Sequence, residues 1–424
     1  MLFRGITTLE GKKMNGIKEY DLDSFPVGEL QGFRTGNLFI AETVYLRKPS
    51  LNNLSASQYL SFVEPHLPDG LISEENYTKI KKLASFFTPG VTSFFGFESR
   101  LSSPDPRADY LFAVSSKKGE REALVNFLQY EDKAKQFLQQ QEWQHLRDFA
   151  TTWADPTSEL YSNVLGLWLE FDTTQSSHET SIPCVFIHTI PFRIKSIEEE
   201  RTYDWVFHTA LPLLLGHPLS SQLHQRLLEA LRNLPEGASV MDIGLMLSRA
   251  TNGARLVFKH LHPTQIIPYL ESLGWSDTNN ELSCLIKELQ QQVTRLVLHI
   301  TITEKGVDPK IGLECSDSSD QYHLETRWAS FFDYLIKKGV CCPEKKTEVL
   351  KFLGVSAEDP SRPFDLSSYQ IAVRLPSEAS VNALVRYISH VKLCYAPGQP
   401  LEAKAYPGVR LFGLQSTERD LDVC

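Results

Sequence analysis

Five pairs of short β-type segments recur along this sequence, with amphipathic helix-like stretches between them. The pairs lie at 94–100 with 108–115, 164–172 with 184–190, 240–249 with 254–261, 294–303 with 310–315, and 391–395 with 402–409. Short turns join the partners, and Asn252-Gly253 is the strongest hairpin signal among them. Repeated hairpins with helices between them predict a closed antiparallel β-barrel of about ten strands. We therefore expect an α+β fold of about five strand-strand-helix-helix repeats, with the helices outside the barrel.

The domain organisation follows from the same pattern. The 424 residues contain no low-complexity linker, so we expect one globular domain. Residues 1–89 predict an N-terminal segment of helices and a strand that packs on the barrel, and residues 90–424 predict the barrel itself. Apolar residues near helical spacing also predict one long, charged helix over 120–152.

Composition disfavours several classes of function. The formal net charge is −9, so the chain has no broad basic surface and nucleic acid is not an expected partner. No stretch approaches the ~18 apolar residues of a membrane span, and the N-terminus lacks the apolar core of a signal peptide. The seven cysteines include no CxxC motif. We therefore expect a cytoplasmic protein with reduced thiols and no membrane partner.

Period-2 alternation separates an apolar face from a polar face on the predicted strands. The polar faces carry charged and aromatic side chains, among them Trp168, Glu170, Arg255, Lys259, Lys404 and Tyr406. In one interpretation these faces meet water, as in any half-buried antiparallel sheet. In the other, helices cover the apolar faces and the polar faces line the lumen. Several buried Lys and Arg side chains are costly there unless an anion enters.

Common phosphate- and metal-binding motifs are absent from the sequence. It contains no GxxxxGK[ST], no GxGxxG after a strand, no HExxH, no GxSxG and no DDxxD. A diphosphate would then have to be held by Lys and Arg side chains alone, in a low-dielectric lumen that strengthens their attraction. We expect no metal site and no required cofactor, and no motif supports a requirement for Mg²⁺.

These features resemble the ABBA-type aromatic prenyltransferases, especially the branch similar to dimethylallyltryptophan synthase. In GFESRLSSPDPRADY, Glu98 on a first strand is followed by Arg107 near the next strand. In KLCYAPGQPLEAKAYPGV, Lys404 and Tyr406 form a Lys-x-Tyr pair after a Pro-containing turn. The chain departs from the family in having only one clear Lys-x-Tyr pair. The resemblance covers about residues 90–415 and implies a ten-stranded barrel with its active site in the lumen.

The resemblance also implies roles for individual side chains. Glu98 would accept the proton lost from the acceptor, and Glu170 is the alternate base. Cationic side chains would hold the diphosphate of an allylic donor, and aromatic faces would shield the allyl cation. The implied diphosphate ligands are Arg107, Arg255, Lys259, Lys310 and Lys404, and the implied shield is Trp168, Tyr406 and Tyr110.

The function implied by the resemblance is that of a transferase in secondary metabolism, in natural product biosynthesis. It would move a prenyl group from an allylic diphosphate, such as dimethylallyl diphosphate, to an aromatic small molecule or a peptide inside the barrel. Two alternatives stay open. One is a non-catalytic barrel that binds a ligand or a precursor peptide of a natural-product pathway, and the other is an enzyme that uses the same fold without an allylic diphosphate. A prenyltransferase needs cations, aromatic walls and a base around one cavity, whereas a binding barrel needs no base there.

Overall fold

The β-strands form one antiparallel sheet, part of which closes into a barrel. The computed structural model describes residues 44–47, 54–117, 119–173, 181–249, 253–277, 279–316, 326–357 and 380–416. The strands in these ranges are β1 Val44–Arg47, β2 Phe94–Arg100, β3 Ala108–Ser115, β4 Val164–Phe171, β5 Cys184–Phe192, β6 Ser239–Leu245, β7 Gly253–Lys259, β8 Arg295–Thr303, β9 Gly306–Val307, β10 Ile311–Ser316, β11 Gly354–Ala357, β12 Ser380–Tyr395 and β13 Glu402–Ser416.

Five consecutive hairpins build the barrel. They are β2–β3, β4–β5, β6–β7, β8–β10 and β12–β13, and each pairs antiparallel with the next. The ring closes because β10 pairs with β12 and β13 pairs with β2. The remaining strands β1, β9 and β11 add to β13, β8 and β12. The predicted ten-stranded barrel of five hairpin repeats is therefore confirmed, although the turn at Asn252 lies outside the described residues.

Helices connect the hairpins and pack on the outer face of the barrel. They are α1 Ala56–Val63, α2 Glu74–Ala84, α3 Glu120–Tyr130, α4 Gln141–Ala154, α5 Glu159–Asn163, α6 Ile197–Thr202, α7 Leu211–Leu215, α8 Ser221–Arg232, α9 Pro263–Ser272, α10 Glu281–Leu289, α11 Thr326–Lys337 and α12 Pro343–Phe352. No helix in the described part of the chain is both long and apolar enough to cross a membrane. Of the predicted N-terminal segment, β1, α1 and α2 are described and residues 1–43 are not.

The predicted single helix over 120–152 is wrong, because the chain breaks it in two. A 3₁₀ segment, Asp132–Gln139, separates α3 from α4. The break lets Phe137 leave the helical surface and insert among neighbouring rings. Its ring lies 5.1 Å from that of Phe86 and 4.7 Å from that of Trp143. Burying an aromatic side chain contributes about 1.5–3 kcal/mol, which offsets the few backbone hydrogen bonds lost at the break.

Aromatic side chains on the outer face of the strands fix the helices to the barrel. Phe112 and Phe171 are fully buried, with ring centroids 5.7 Å apart. Phe87 packs edge-on against Phe112 at 4.9 Å, and Trp143 stacks on Phe171 at 6.2 Å. Since helices cover the apolar faces, the alternating polar faces turn into the barrel. The second interpretation of the alternation is therefore the one that the protein adopts.

Candidate functional site in the barrel lumen

The lumen contains a cavity of about 760 Å³. Its lining comes from the strand ends opposite the hairpin turns, and the exposed residues His260 and Arg295 stand at its rim. Polar side chains on its walls include Glu170, His188, Asp242, Lys259, Glu314 and Lys392. A cavity of this size matches a small-molecule site, for which about 300–1,000 Å³ is usual.

At the hairpin-turn end of the lumen, charged side chains neutralise one another. Lys404 Nζ lies 2.5 Å from Glu98 Oε1, and the Tyr406 hydroxyl donates to Glu98 Oε2. Burial opposes ionisation of Glu98, but Lys404 and Tyr406 outweigh it and lower the pKa of this carboxyl group to about 2. Glu98 is therefore ionised at neutral pH and a weak proton acceptor.

A second ion pair, Asp172 with Arg249, lies at the same end. Arg249 donates to both Asp172 oxygens, at 3.0 and 2.6 Å. Ser248 also donates to Asp172, at 3.0 Å, and Cys184 Sγ lies 3.1 Å from the Ser248 hydroxyl. These bidentate and side-chain contacts connect β4, β5 and the segment after β6. They therefore neutralise the charged groups at this end of the barrel.

Glu170, in contrast, is an unpaired carboxyl group in the cavity wall. Among the residues that the structure describes, none donates a hydrogen bond to it. Burial, and then the nearby Glu98 carboxylate, raise the pKa of Glu170 to about 7, against the attraction of Lys392 and Arg255. A proton acceptor is most effective when its pKa lies near the working pH. Glu170 thus has the protonation behaviour of a general base, and Glu98 does not.

Lys392 is a buried lysine in the cavity lining that acts electrostatically on this carboxyl group. Its Nζ lies 3.0 Å from His299 Nδ1, and His299 Nε2 lies 2.7 Å from Glu314 Oε1. Burial and Lys392 lower the pKa of His299 to about 4, so this ring is neutral at pH 7. Its Nδ1 then accepts from Lys392, and its Nε2–H faces Glu314. Lys392 therefore has no directly hydrogen-bonded carboxylate in the described part of the chain, and burial, followed by the charge of Arg255, lowers its pKa.

Arg255 and Lys259 lie on the lumen face of β7, as the alternation predicts. The Arg255 Nε donates to Thr301 Oγ1 at 3.2 Å, and its charge lowers the pKa of Lys392, second to burial. Lys259 stands nearer the rim, where burial and then Arg295 lower its pKa. The cations therefore form two groups, one beside Glu170 and one at the rim.

Aromatic rings form much of the rest of the wall. Trp168 meets Phe94 edge-on at 5.0 Å, and Phe94 stacks on Tyr387 at 6.3 Å. The Tyr406 ring stacks on His390 at 4.2 Å. Such π faces stabilise a cation without offering it a nucleophile. The cavity thus combines two cation groups, an aromatic wall and an unpaired carboxyl group.

The structure brings most of the predicted site residues to the lumen face. These are Glu98, Glu170, Arg255, Lys259, Lys404, Trp168 and Tyr406. It places three others elsewhere. Arg107 is exposed before β3 and binds Asp105, Lys310 is exposed and lies 2.7 Å from Glu402, and Tyr110 is buried on the outer face against Phe112.

The physical reasons for these three placements differ. Arg107 and Lys310 lie in the hairpin loops, where side chains reach solvent and pair with a nearby carboxylate. Tyr110 has the wrong strand parity, since its neighbours Asp109 and Leu111 face the lumen. The predicted diphosphate and shield roles of these residues therefore have no support from their positions.

Several cavity residues are ones to which the sequence assigned no role in the site. Lys392, His299 and Glu314 form one wall, and His188 pairs with Asp242 on another. Alternation was the available signal, because Lys392 and His299 share faces with predicted lumen residues. Over the described residues, no group of three metal-ligating side chains comes together. The expected independence from metal and cofactor stays a prediction.

Several solved structures are similar to this chain in fold. The 5-dimethylallyltryptophan synthase from Streptomyces coelicolor is 12% identical, with 87% of this chain and 97% of that chain covered and a TM-score of 0.47. The prenyltransferase PriB is 13% identical, with 84% and 96% covered and a TM-score of 0.49. AnaPT from Neosartorya fischeri is 12% identical, with 84% of this chain and 94% of that chain covered and a TM-score of 0.43.

Of these solved structures, the first is named as a dimethylallyltryptophan synthase and the second as a prenyltransferase. The synthase has also been solved in complex with DMASPP and Trp, which are ligands of that protein. No protein-family model and no curated protein matches the sequence. At identities of 12–13% these likenesses concern fold alone. Function must therefore be argued from the residues of the lumen.

Proposed function

We propose that this protein is an aromatic prenyltransferase. It transfers an allylic group from a diphosphate donor to a small aromatic acceptor within the lumen. The observation that carries the proposal is the placement of Glu170. Its unpaired carboxyl group, with a pKa of about 7, shares one cavity with the aromatic face of Trp168 and the cation Lys392. A barrel that only binds a ligand has no need of such a base.

The donor diphosphate is assigned to Lys392 and Arg255. Both are lumen-facing cations, and each makes its one described side-chain hydrogen bond to an uncharged partner, His299 or Thr301. Two like charges held together in a buried site repel each other, and a diphosphate relieves that repulsion. When the allylic C–O bond breaks, the electron pair leaves with the diphosphate oxygen. The same two cations stabilise the charge that develops there.

The aromatic wall protects the allyl cation that this step produces. Trp168, Tyr406 and Phe94 present π faces to the cavity, each able to contribute about 0.5–2 kcal/mol of cation–π attraction. The rings also exclude water, which would otherwise trap the cation as an alcohol. The cation therefore survives long enough for the acceptor to attack.

Glu170 completes the transfer. An electron pair of the acceptor ring forms the new C–C bond to the allylic carbon. The ring carbon then loses its proton to the Glu170 carboxylate, and its C–H electron pair restores aromaticity. Because the pKa of Glu170 is about 7, both the ionised and the protonated forms of this group are populated near neutral pH. A peptide acceptor stays a prediction.

Calorimetric titration with dimethylallyl diphosphate tests the donor assignment. We expect binding to the wild type and at least about tenfold weaker binding to Lys392→Ala and Arg255→Gln, since each loses a charge-assisted contact. Lys305→Ala is the matched control, because Lys305 is an exposed lysine in the β8–β9 turn. Unchanged affinity in both lumen variants, or no binding to the wild type, would refute the assignment.

A second measurement tests the transfer itself. Wild-type protein is incubated with the donor and with indole or 2-naphthol, and the products are identified by mass spectrometry. A prenylated product supports the proposal. Donor binding without any product would favour the alternative, a barrel that binds the diphosphate without reacting it.

A further inference from the structure

His188 and Asp242 form a pair in the cavity wall that the proposed reaction does not use. His188 Nδ1 lies 2.7 Å from Asp242 Oδ1, and the two side chains are only 12% and 10% exposed. They belong to the neighbouring strands β5 and β6, where they are direct partners in the register. Lys259 lies near Asp242, so this carboxylate and its partner face the rim group of cations.

The pairing fixes what His188 offers to the cavity. A carboxylate that accepts from Nδ1–H holds the neutral ring in the tautomer with an unprotonated Nε2. In the part of the chain that the structure describes, no group donates to this Nε2, and the ring lines the cavity. In its neutral form, His188 therefore presents a hydrogen-bond acceptor of fixed orientation to whatever enters.

The register sets the distance between this acceptor and Glu170. On β4 and β5, Glu170 pairs with Cys184, Trp168 with Phe186, and position 166 with His188. Successive lumen-facing rows lie about 6–7 Å apart, since each residue advances a strand by about 3.3 Å. One aromatic row therefore separates Glu170 from His188.

Gly244 keeps the ring of Phe186 within that aromatic row. A Cβ at position 244 would lie 2.4 Å from Phe186 Cε1, so only glycine leaves room for the ring there. Trp168 and Phe186 thus form a continuous apolar platform between the two polar groups. A flat aromatic molecule lying on this row has Glu170 beyond one end and His188 beyond the other.

We propose that His188, oriented by Asp242, binds the acceptor substrate through its ring N–H or O–H group. The acceptor is then a flat indole- or naphthol-like compound that spans the platform, with its donor group on His188 Nε2 and its reacting carbon towards Glu170. The orientation of the reacting carbon towards Glu170 rests on the proposed function. Recognition of the N–H or O–H requires no donor substrate, and it can be measured separately.

The test compares each acceptor with its methylated analogue, which has lost the donor group. The probes are indole with 1-methylindole, and 2-naphthol with 2-methoxynaphthalene, titrated against the intact protein without any diphosphate. We expect the wild type to bind the unmethylated member of at least one pair about three- to tenfold more tightly, as one net hydrogen bond provides. His188→Asn is expected to abolish this preference, and Asp242→Asn to reduce it.

His217→Asn is the matched control, because His217 is exposed and remote from the lumen. It is expected to keep the wild-type preference. A wild type that does not distinguish the members of either pair, or that binds none of the four probes, overturns the inference. Persistence of the preference in His188→Asn also overturns it. Failure of the donor titration alone would remove the prenyl transfer while leaving His188 as an acceptor-binding residue.

Discussion

The hairpin-turn end of the lumen and the cavity above it use the same residue types but pair them differently. The turn end joins Lys and Arg directly to carboxylates, whereas the cavity leaves Glu170 and Lys392 without such a partner among the described residues. At the turn end Glu98 pairs with Lys404, and Asp172 with Arg249. In the cavity, Glu170 has no described hydrogen-bond donor and Lys392 contacts a neutral histidine. A buried ion pair has little left to offer a ligand, whereas an unpaired buried charge attracts one. The cavity therefore differs from the hairpin-turn end in having charged groups that are free to bind a ligand, and not in having more of them.

The largest expected effect is on the rate of prenyl transfer, and it distinguishes Glu170 from Glu98 as the base. Glu170→Gln removes the proton acceptor, so we expect kcat for prenyl transfer to fall by about 10²–10⁴, with donor affinity retained within about threefold. Product formation under donor saturation measures it. The exposed carboxylate variant Glu236→Gln is the control and should keep wild-type kcat. A Glu170→Gln enzyme with wild-type kcat would contradict the assignment of the base.

The next effect concerns stability at the turn end. Glu98→Gln leaves the Lys404 ammonium buried without its anion, which costs about 3 kcal/mol. Glu402→Gln breaks the exposed pair with Lys310, for which about 0–1 kcal/mol is expected. Denaturant unfolding at pH 7 compares the two variants. Because the pKa of Glu98 is lowered in the folded state, its contribution is present above about pH 4.5 and is lost as the pH falls towards 2. If the two variants lost the same free energy of unfolding, burial would not strengthen the pair of Glu98 with Lys404.

The pH dependence of catalysis tests the same contrast without a mutation. A base with a pKa of about 7 must lose its proton to act, so kcat should rise through pH 7 and fall about tenfold per unit below it. If Glu98 were the base, its pKa of about 2 would make kcat flat over this range. A flat profile between pH 6 and 8 would therefore exclude Glu170.

A smaller effect appears in thermal stability. The pKa of Glu170 is higher in the folded state than its ordinary value, so the folded protein loses stability as the pH rises from about 4.5 to 7. Glu170→Gln stays neutral and avoids this loss. We expect its melting temperature to exceed that of the wild type by about 2 °C at pH 8, with a smaller difference at pH 5. The same difference in melting temperature at pH 5 and pH 8 would argue against a raised pKa of Glu170.

The smallest expected effect is at a predicted diphosphate ligand that lies in a loop. Lys310→Ala removes an exposed side chain 2.7 Å from Glu402, so we expect unchanged affinity for dimethylallyl diphosphate and a stability change within about 0.5 kcal/mol. The donor titration described above measures the affinity. A tenfold loss of affinity in this variant would return the anion site to the loops and away from Lys392.

Much of this architecture could be predicted because hairpin repeats and alternation are local properties. The face assignments of Trp168 and Glu170, and of Arg255 and Lys259, follow from the period of two that every strand obeys. Tyr110 was assigned to the shield from the resemblance alone. Its position in the alternation along β3 places it on the outer face instead. Arg107 and Lys310 show another limit, because loop residues have no face that alternation can assign.

The sequence by itself determined the closed barrel, its helical cover and the polar character of its lumen, since these depend on short-range periodicity and turn chemistry. Only the tertiary structure decided which charges remain unpaired. That choice depends on contacts between residues far apart in the chain, such as Glu98 with Lys404 and His188 with Asp242. The pKa difference between Glu98 and Glu170 arises in the same way, because burial and neighbouring charges exist only after the barrel has closed.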